Sequence, residues 1–139
     1  MGGAPSPRLR AIVDRLPLRP GMRILEIGCG PGAAAREIAR RIGNGYVLGI
    51  DRSATAIRQA LAASTEHMAT GSLEFRQVAA EDFRLGSDEA PFDLVLAARV
   101  GALDGRHPEA GGLAMQRSRA ALADDGQLWV DGEQRAVAS

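Results

Sequence analysis

Apolar positions along the chain switch repeatedly between the three-to-four spacing of helices and the short dense runs of buried strands. Residues 8–16 place Leu9, Ile12, Val13 and Leu16 at helical spacing, and Pro17 with Pro20-Gly21 ends the pattern, so residues 1–20 read as a leading helix and linker. A buried strand is predicted over 23–27. It runs directly into Gly28-Cys29-Gly30-Pro31-Gly32 and then a helix from 33 to about 42. Gly43-Asn44-Gly45 turns the chain back into a strand over 46–50 that stops at Asp51. Ser53 is predicted to cap the next helix, with Ile57, Ala60, Leu61 and Met68 on its apolar side. A third strand over 73–78 alternates apolar and polar side chains, as a sheet edge with one wetter face does, and a fourth over 92–97 reads as central. After the loop 104–108, a helix around 113–122 leads through Asp124-Asp125-Gly126 into a fifth strand over 127–130, and the tail after Asp131 is expected to be too short to add an element. Strands alternating with helices predict one α/β domain over residues 1–139, a mainly parallel sheet of about five strands with helices on both faces.

Composition narrows the classes of function. The 139 residues carry 17 basic and 17 acidic side chains, every basic one an arginine, so no net field draws the chain to nucleic acid or anionic lipid. No apolar run approaches the roughly 20 residues of a spanning helix, and the first seven residues lack the charged start and apolar stretch of a secretory signal. Cys29 is the single cysteine, which precludes an intrachain disulfide and fits a reducing cytoplasm.

The glycine turn is where chemistry enters. Glycines between a strand and a helix let backbone N–H groups approach a ligand without Cβ interference, and the helix start adds a positive dipole end. Gly28, Gly30 and Gly32 supply that arrangement, and Pro31 suits a first helical turn. Asp51 follows Gly30 by 21 positions, the length of one helix and one strand, which returns a carboxylate to the turn where a ribose diol can donate to it. Residues 28–33 also satisfy the G-x-G-x-x-G/A dinucleotide pattern, so a nicotinamide- or flavin-dependent oxidoreductase competes. Glu26 separates the readings: a carboxylate two residues before the first glycine repels a phosphate and attracts a ligand carrying an amine and a sulfonium.

With Glu26-Ile27-Gly28-Cys29-Gly30-Pro31-Gly32 in place, the sequence resembles the class I S-adenosylmethionine-dependent methyltransferases, whose first motif is acidic-x-Gly-x-Gly-x-Gly. The likeness runs from the leading helix to the fifth strand and implies a Rossmann-like doubly wound sheet of order 3-2-1-4-5. It implies that Glu26 and the Gly28, Cys29, Gly30 and Gly32 turn surround the methionine part of the cofactor, that Asp51 accepts from both ribose hydroxyls, and that Arg52 lies against the adenine. Ala79-Ala80-Glu81-Asp82-Phe83 stands where the family places its adenine motif. Many members begin that motif with Asp, and Ala79 stands here, so Glu81, Asp82 or backbone near Ala80 meets the adenine amine; both acids equally suit a helix start. Ala97, Ala98 and Arg99 match the strand end beside the transferring methyl group, and S-adenosylhomocysteine is the implied product.

In-line methyl transfer needs alignment and exclusion of water more than a catalytic side chain. If the acceptor is a hydroxyl or a protonated amine, a base is required, and His107 is best placed because its loop follows the fourth strand; the bland reading is a solvated loop histidine before a proline. Arg99 and Arg106 suit an anionic acceptor but equally an exposed surface, His67 lies away from that rim, and Cys29 reads as a small filler rather than a reactive thiol. No His, Cys and carboxylate cluster has metal-ligand spacing. The family's last two strands form a hairpin beside the fifth, and only about nine residues follow Val130, so the fifth strand is expected to have an unpaired edge that invites a homodimer or another partner. Few aromatics and zero net charge make a small-molecule acceptor the default and nucleic acid the poorer candidate. A non-catalytic domain that binds the cofactor and acts through a partner remains the second reading.

Overall fold

The structure is a computed structural model describing residues 3–98 and 108–137. Ser6 caps the first helix, α1 (Pro7–Arg15), by accepting from Leu9 N, and Pro7 occupies a helix start where its missing N–H costs nothing. Strand β1 (Arg23–Ile27) leads into α2 (Ala33–Ile42), then β2 (Tyr46–Asp51), α3 (Ala54–Ala63), α4 (Thr65–Ala69), β3 (Leu73–Gln77) and a single 3₁₀ turn (Ala80–Asp82). Strand β4 (Phe92–Ala97), helix α5 (Pro108–Ala120) and strands β5 (Leu122–Val130) and β6 (Glu133–Arg135) follow. Among the described residues the strands form one sheet of order β3-β2-β1-β4-β5-β6, parallel except for the β5–β6 pair. The order expected from the sequence is present, with one strand more.

Side chains alternate across the strands, so each strand feeds two cores. Ile24, Val47, Leu73, Leu94 and Leu96 pack with Val13, Leu16, Ile38 and Ile42 beneath α1 and α2. Leu25, Leu48, Ile50, Val95 and Leu128 pack on the opposite face with Phe83, Phe92, Ala114 and Ala121. The period-two rule places Glu26 and Asp51 on the same face as Ile24 and Val47, the face α2 covers.

Four expectations need correction. The helix predicted after Ser53 breaks at Ser64, whose hydroxyl is taken up elsewhere, and Leu61 lies exposed rather than on a buried face. Pro31 stays outside α2, which begins after Gly32; at φ +89° that glycine serves as the N-cap. The last helix is Pro108–Ala120, and β5 starts at Leu122: the register skips from the Phe92–Leu122 pair to Leu94–Gln127, leaving Asp124 and Asp125 exposed in a bulge. Finally, the tail after Asp131 does form an element. Asp131 (φ +51°) and Gly132 (φ +82°) make a two-residue turn of the left-handed kind that suits a right-twisted hairpin, and Val130, Trp129 and Leu128 then pair with Glu133, Gln134 and Arg135. The chain thus covers this part of the β5 edge itself, so the unpaired β5 edge expected from the sequence is filled here by β6.

That turn carries a modest load. A Cβ on Gly132 would meet Ile12 Cγ1 at 3.5 Å, an ordinary contact, so Gly132→Ala costs chiefly the left-handed backbone, about 1 kcal/mol. Thermal melting should show a fall of a few degrees with the transition still cooperative; no fall would mean that the turn does not hold its left-handed geometry.

Candidate functional site

The site forms where β1 and β2 end side by side. Cys29 N donates to Ile50 O at 2.9 Å, and Gly32 N to Cys29 O at 3.0 Å, which folds residues 28–32 into a tight turn over the strand ends. Gly28, Gly30 and Gly32 all have positive φ, at 69°, 55° and 89°, a region that L side chains rarely adopt. A Cβ on Gly32 would lie 2.8 Å from Phe75 Cζ and 2.9 Å from Arg36 Nη1, whereas one on Gly30 would have no protein atom within 4 Å. Gly32 is therefore held to glycine by its left-handed backbone and by crowding from Phe75 and Arg36, and Gly30 by its left-handed backbone in open space.

Asp51 is joined to the turn. Its Oδ2 accepts from Gly30 N at 2.9 Å and its Oδ1 from Ser53 N at 2.9 Å, while Ser53 Oγ caps α3 by accepting from Ala56 N at 3.1 Å. The 21-residue spacing thus closes as a direct hydrogen bond. An ionised carboxylate has about four acceptor positions, so two remain for hydroxyl donors.

Glu26 is 3% exposed, and its Oε1 has no hydrogen-bond partner. Burial, then the neighbouring charge of Asp51, push its carboxyl up to about 8, against a smaller downward pull from Arg36. At pH 7 the side chain therefore holds its proton until a cation arrives, which makes the charge inferred from the sequence conditional on the ligand. The Cys29 thiol is pushed well up by burial, then by Glu26 and Asp51, so the negative surroundings override the helix start and the side chain acts as filler.

The remaining residues lie in sequence around this centre. Arg52 is exposed just after Asp51, and its carbonyl accepts from Gln77 Nε2 at 3.4 Å. Val78 N donates to Asp51 O at 3.0 Å, which brings the chain toward the 3₁₀ turn, where Ala80 is buried, Glu81 half-buried and Asp82 exposed. Arg117 Nε donates to the Glu81 carbonyl at 3.3 Å. Ala98 is half-buried directly after β4. Arg99, Arg106 and His107 lie outside the described residues. His67 is half-buried on α4, on the far side of α3 from Ser53 in the chain. No helix among the described residues is long and apolar enough to cross a membrane, and no three His, Cys, Asp or Glu side chains among them could hold a metal ion.

Sequence reasoning missed Arg36, Ser64 and Phe75. Arg36 is 7% exposed on α2 and donates from Nη1 to Pro31 O at 2.8 Å and to Ser64 Oγ at 2.9 Å. Nothing local marks an arginine in an arginine-rich helix as the buried one, because its partners sit five and 28 residues away.

The arrangement fits S-adenosylmethionine. A buried carboxyl with an oxygen free to accept suits a cationic amine and sulfonium, the Asp51 carboxylate has acceptor capacity for a diol, and the left-handed glycines keep backbone close to the ligand. Residues 24–126 match the family described as "Methyltransferase domain". The nocamycin O-methyltransferase of Saccharothrix syringae is 33% identical over 128 residues, 91% of this chain and 43% of that protein. The trans-aconitate 2-methyltransferase of Streptomyces avermitilis is 36% identical over 89 residues, 64% of this chain and 32% of that protein. Among solved structures, an S-adenosylmethionine-dependent methyltransferase from Thiobacillus denitrificans in complex with S-adenosyl-L-homocysteine superposes with a TM-score of 0.67 at 22% identity, covering 92% of this chain and 49% of that one. The chain spans less than half the length of each of these relatives. Because the match begins within β1 and continues into β5, it takes in every described element that builds the site, and the chain belongs to the class I S-adenosylmethionine-dependent methyltransferase family.

Proposed function

We propose that this domain binds S-adenosylmethionine and transfers its methyl group to a small-molecule acceptor. The observation that carries the reading is the buried Glu26 carboxyl, whose Oε1 has no partner, beside the turn that Asp51 holds. When bound, the cofactor supplies an electrophilic methyl group on a sulfonium sulfur. Glu26, on releasing its proton to solvent, would balance the incoming positive charge; Asp51 would accept from the ribose hydroxyls; and Arg52, Ala80, Glu81 and Asp82 would hold the adenine. Ala98, small and directly after β4, would leave room beside the transferring methyl group. Arg99 orients an anionic acceptor, and His107 takes the proton of a hydroxyl or amine acceptor. The names of the two relatives, for nocamycin and trans-aconitate, support a small-molecule acceptor.

Calorimetric titration with S-adenosylmethionine, S-adenosylhomocysteine and NAD tests the first half. The first two should saturate, and Asp51→Ala should weaken both by at least about tenfold, since hydrogen bonds to a charged acceptor contribute about 1.5–3 kcal/mol each. Binding of NAD alone would restore the oxidoreductase reading. Release of S-adenosylhomocysteine against a panel of acceptors tests turnover. Binding without turnover on any acceptor would favour a cofactor-binding domain that acts through a partner.

A further inference from the structure

We propose that Arg36 is a positioning residue for the cofactor turn: its buried guanidinium ties the Pro31 carbonyl to Ser64 at the α3–α4 junction. The inference deepens the proposed function, since it concerns how that same site is held and charged.

Three observations converge. A single nitrogen, Nη1, bridges Pro31 O and Ser64 Oγ, so the glycine turn and the helix break are held by one side chain. Ser64 is fully buried, and the hydroxyl has no solvent to turn to. Gly32 has no room for a Cβ because Phe75 and the Arg36 guanidinium already pack against it, so the turn's shape and the position of the cation are mutually dependent. A buried guanidinium is costly unless hydrogen-bonded and paired, and here it has two acceptors and an acidic neighbour that gains most from it when ionised.

Among the described residues, the groups facing Glu26 are Asp51 from β2, Cys29 from the turn and Arg36 from α2; its aligned strand neighbours, Gly49 and Leu96, do not titrate. Arg36 is the cation in that set. Removing it leaves one acid and a thiol around a carboxyl that must ionise to receive a cationic ligand.

The test compares wild type, Arg36→Met, Arg36→Lys and Ser64→Ala by calorimetry with S-adenosylmethionine from pH 6 to 9. Wild-type affinity should rise with pH to a midpoint near 8. In Arg36→Met that midpoint should move up by about one unit, with about tenfold further loss at pH 7, while Arg36→Lys, which keeps the charge, should hold the midpoint. A uniform loss at every pH with the midpoint unmoved would make Arg36 a packing residue and overturn the proposal. Hydrogen exchange on the protein without ligand decides the positioning independently: the amides of Gly32 and Met68, bonded to Cys29 O and Ser64 O, should exchange faster in Arg36→Met and Ser64→Ala relative to Val47. No relative change there would also overturn it. Wild type that binds no S-adenosylmethionine at any pH, with the exchange effect present, would sink the cofactor reading and leave Arg36 as the holder of the turn.

Discussion

Glu26→Gln should make the protein more stable at pH 9 and a poorer binder of S-adenosylmethionine. The folded state holds the Glu26 proton to about pH 8, whereas the ordinary value is 4.5, so unfolding releases that proton throughout the interval between them. Fewer protons are bound by the unfolded chain in that window, and the stability contributed by this site therefore falls as pH rises from about 4.5, levelling off above 8. At 1.36 kcal/mol per unit, the loss is about 3–5 kcal/mol, large against the whole stability of a domain of this size. Glutamine is nearly isosteric with the protonated acid and cannot ionise, so its melting temperature should lack this decline, and the difference between the two curves isolates the site. Parallel curves for the two proteins would contradict the argument. The same variant should lose the pH dependence of cofactor binding and the release of nearly one proton per ligand at pH 7, which calorimetry reads by comparing buffers of different ionisation enthalpy. Here a residue suited to its ligand is a liability to the fold in the ligand's absence.

A pair of alanine substitutions should separate folding from binding. Gly45→Ala places a Cβ against the Met22 carbonyl oxygen well inside van der Waals contact, 2.8 Å from Ile42 Cδ1 and 3.0 Å from Met22 N. The backbone cannot withdraw cheaply, because Tyr46 N donates to that same carbonyl at 2.9 Å. A cost of about 3 kcal/mol follows, with the melting temperature down by about 10 °C and cofactor affinity in the surviving folded protein close to wild type. Gly30→Ala meets no protein atom, so its cost to the fold is the left-handed backbone alone, about 1 kcal/mol. Its methyl group stands at the turn whose backbone the ligand approaches, and affinity for S-adenosylmethionine should drop by at least about tenfold. If Gly30→Ala bound normally, the turn would not be the cofactor's seat; if Gly45→Ala melted like wild type, the close approach of the β2 entry to Met22 would not be rigid.

Much of the architecture was legible because it is written in local rules. Strands over 23–27 and 92–97 coincide with β1 and β4, since continuous apolar runs bounded by turn residues leave little choice. Ser53 caps α3 as its chemistry demands. The β5–β6 hairpin had an available signal, Asp131-Gly132, that the shortness of the tail obscured; three residues are enough when a two-residue turn presets the register. The break at Ser64 had no comparable signal. The apolar pattern continues through to Met68, and the break falls at Ser64, whose hydroxyl accepts from Arg36, 28 residues earlier.

The sequence by itself determined the α/β class, the glycine turn and the pairing of that turn with Asp51, because each depends on backbone conformation, periodicity and chain length between neighbouring elements; the strand order from β3 to β5 came from the family resemblance that the glycine motif carries. Tertiary structure alone decided that Glu26 holds a proton near neutral pH, that burial and two acidic neighbours raise the Cys29 thiol the sequence already read as filler, and that among the described arginines Arg36 is the buried one. Those properties depend on solvent exclusion and on charges from β2 and α2, and a carboxyl, a thiol or a guanidinium acquires them only when residues distant in the chain close around it.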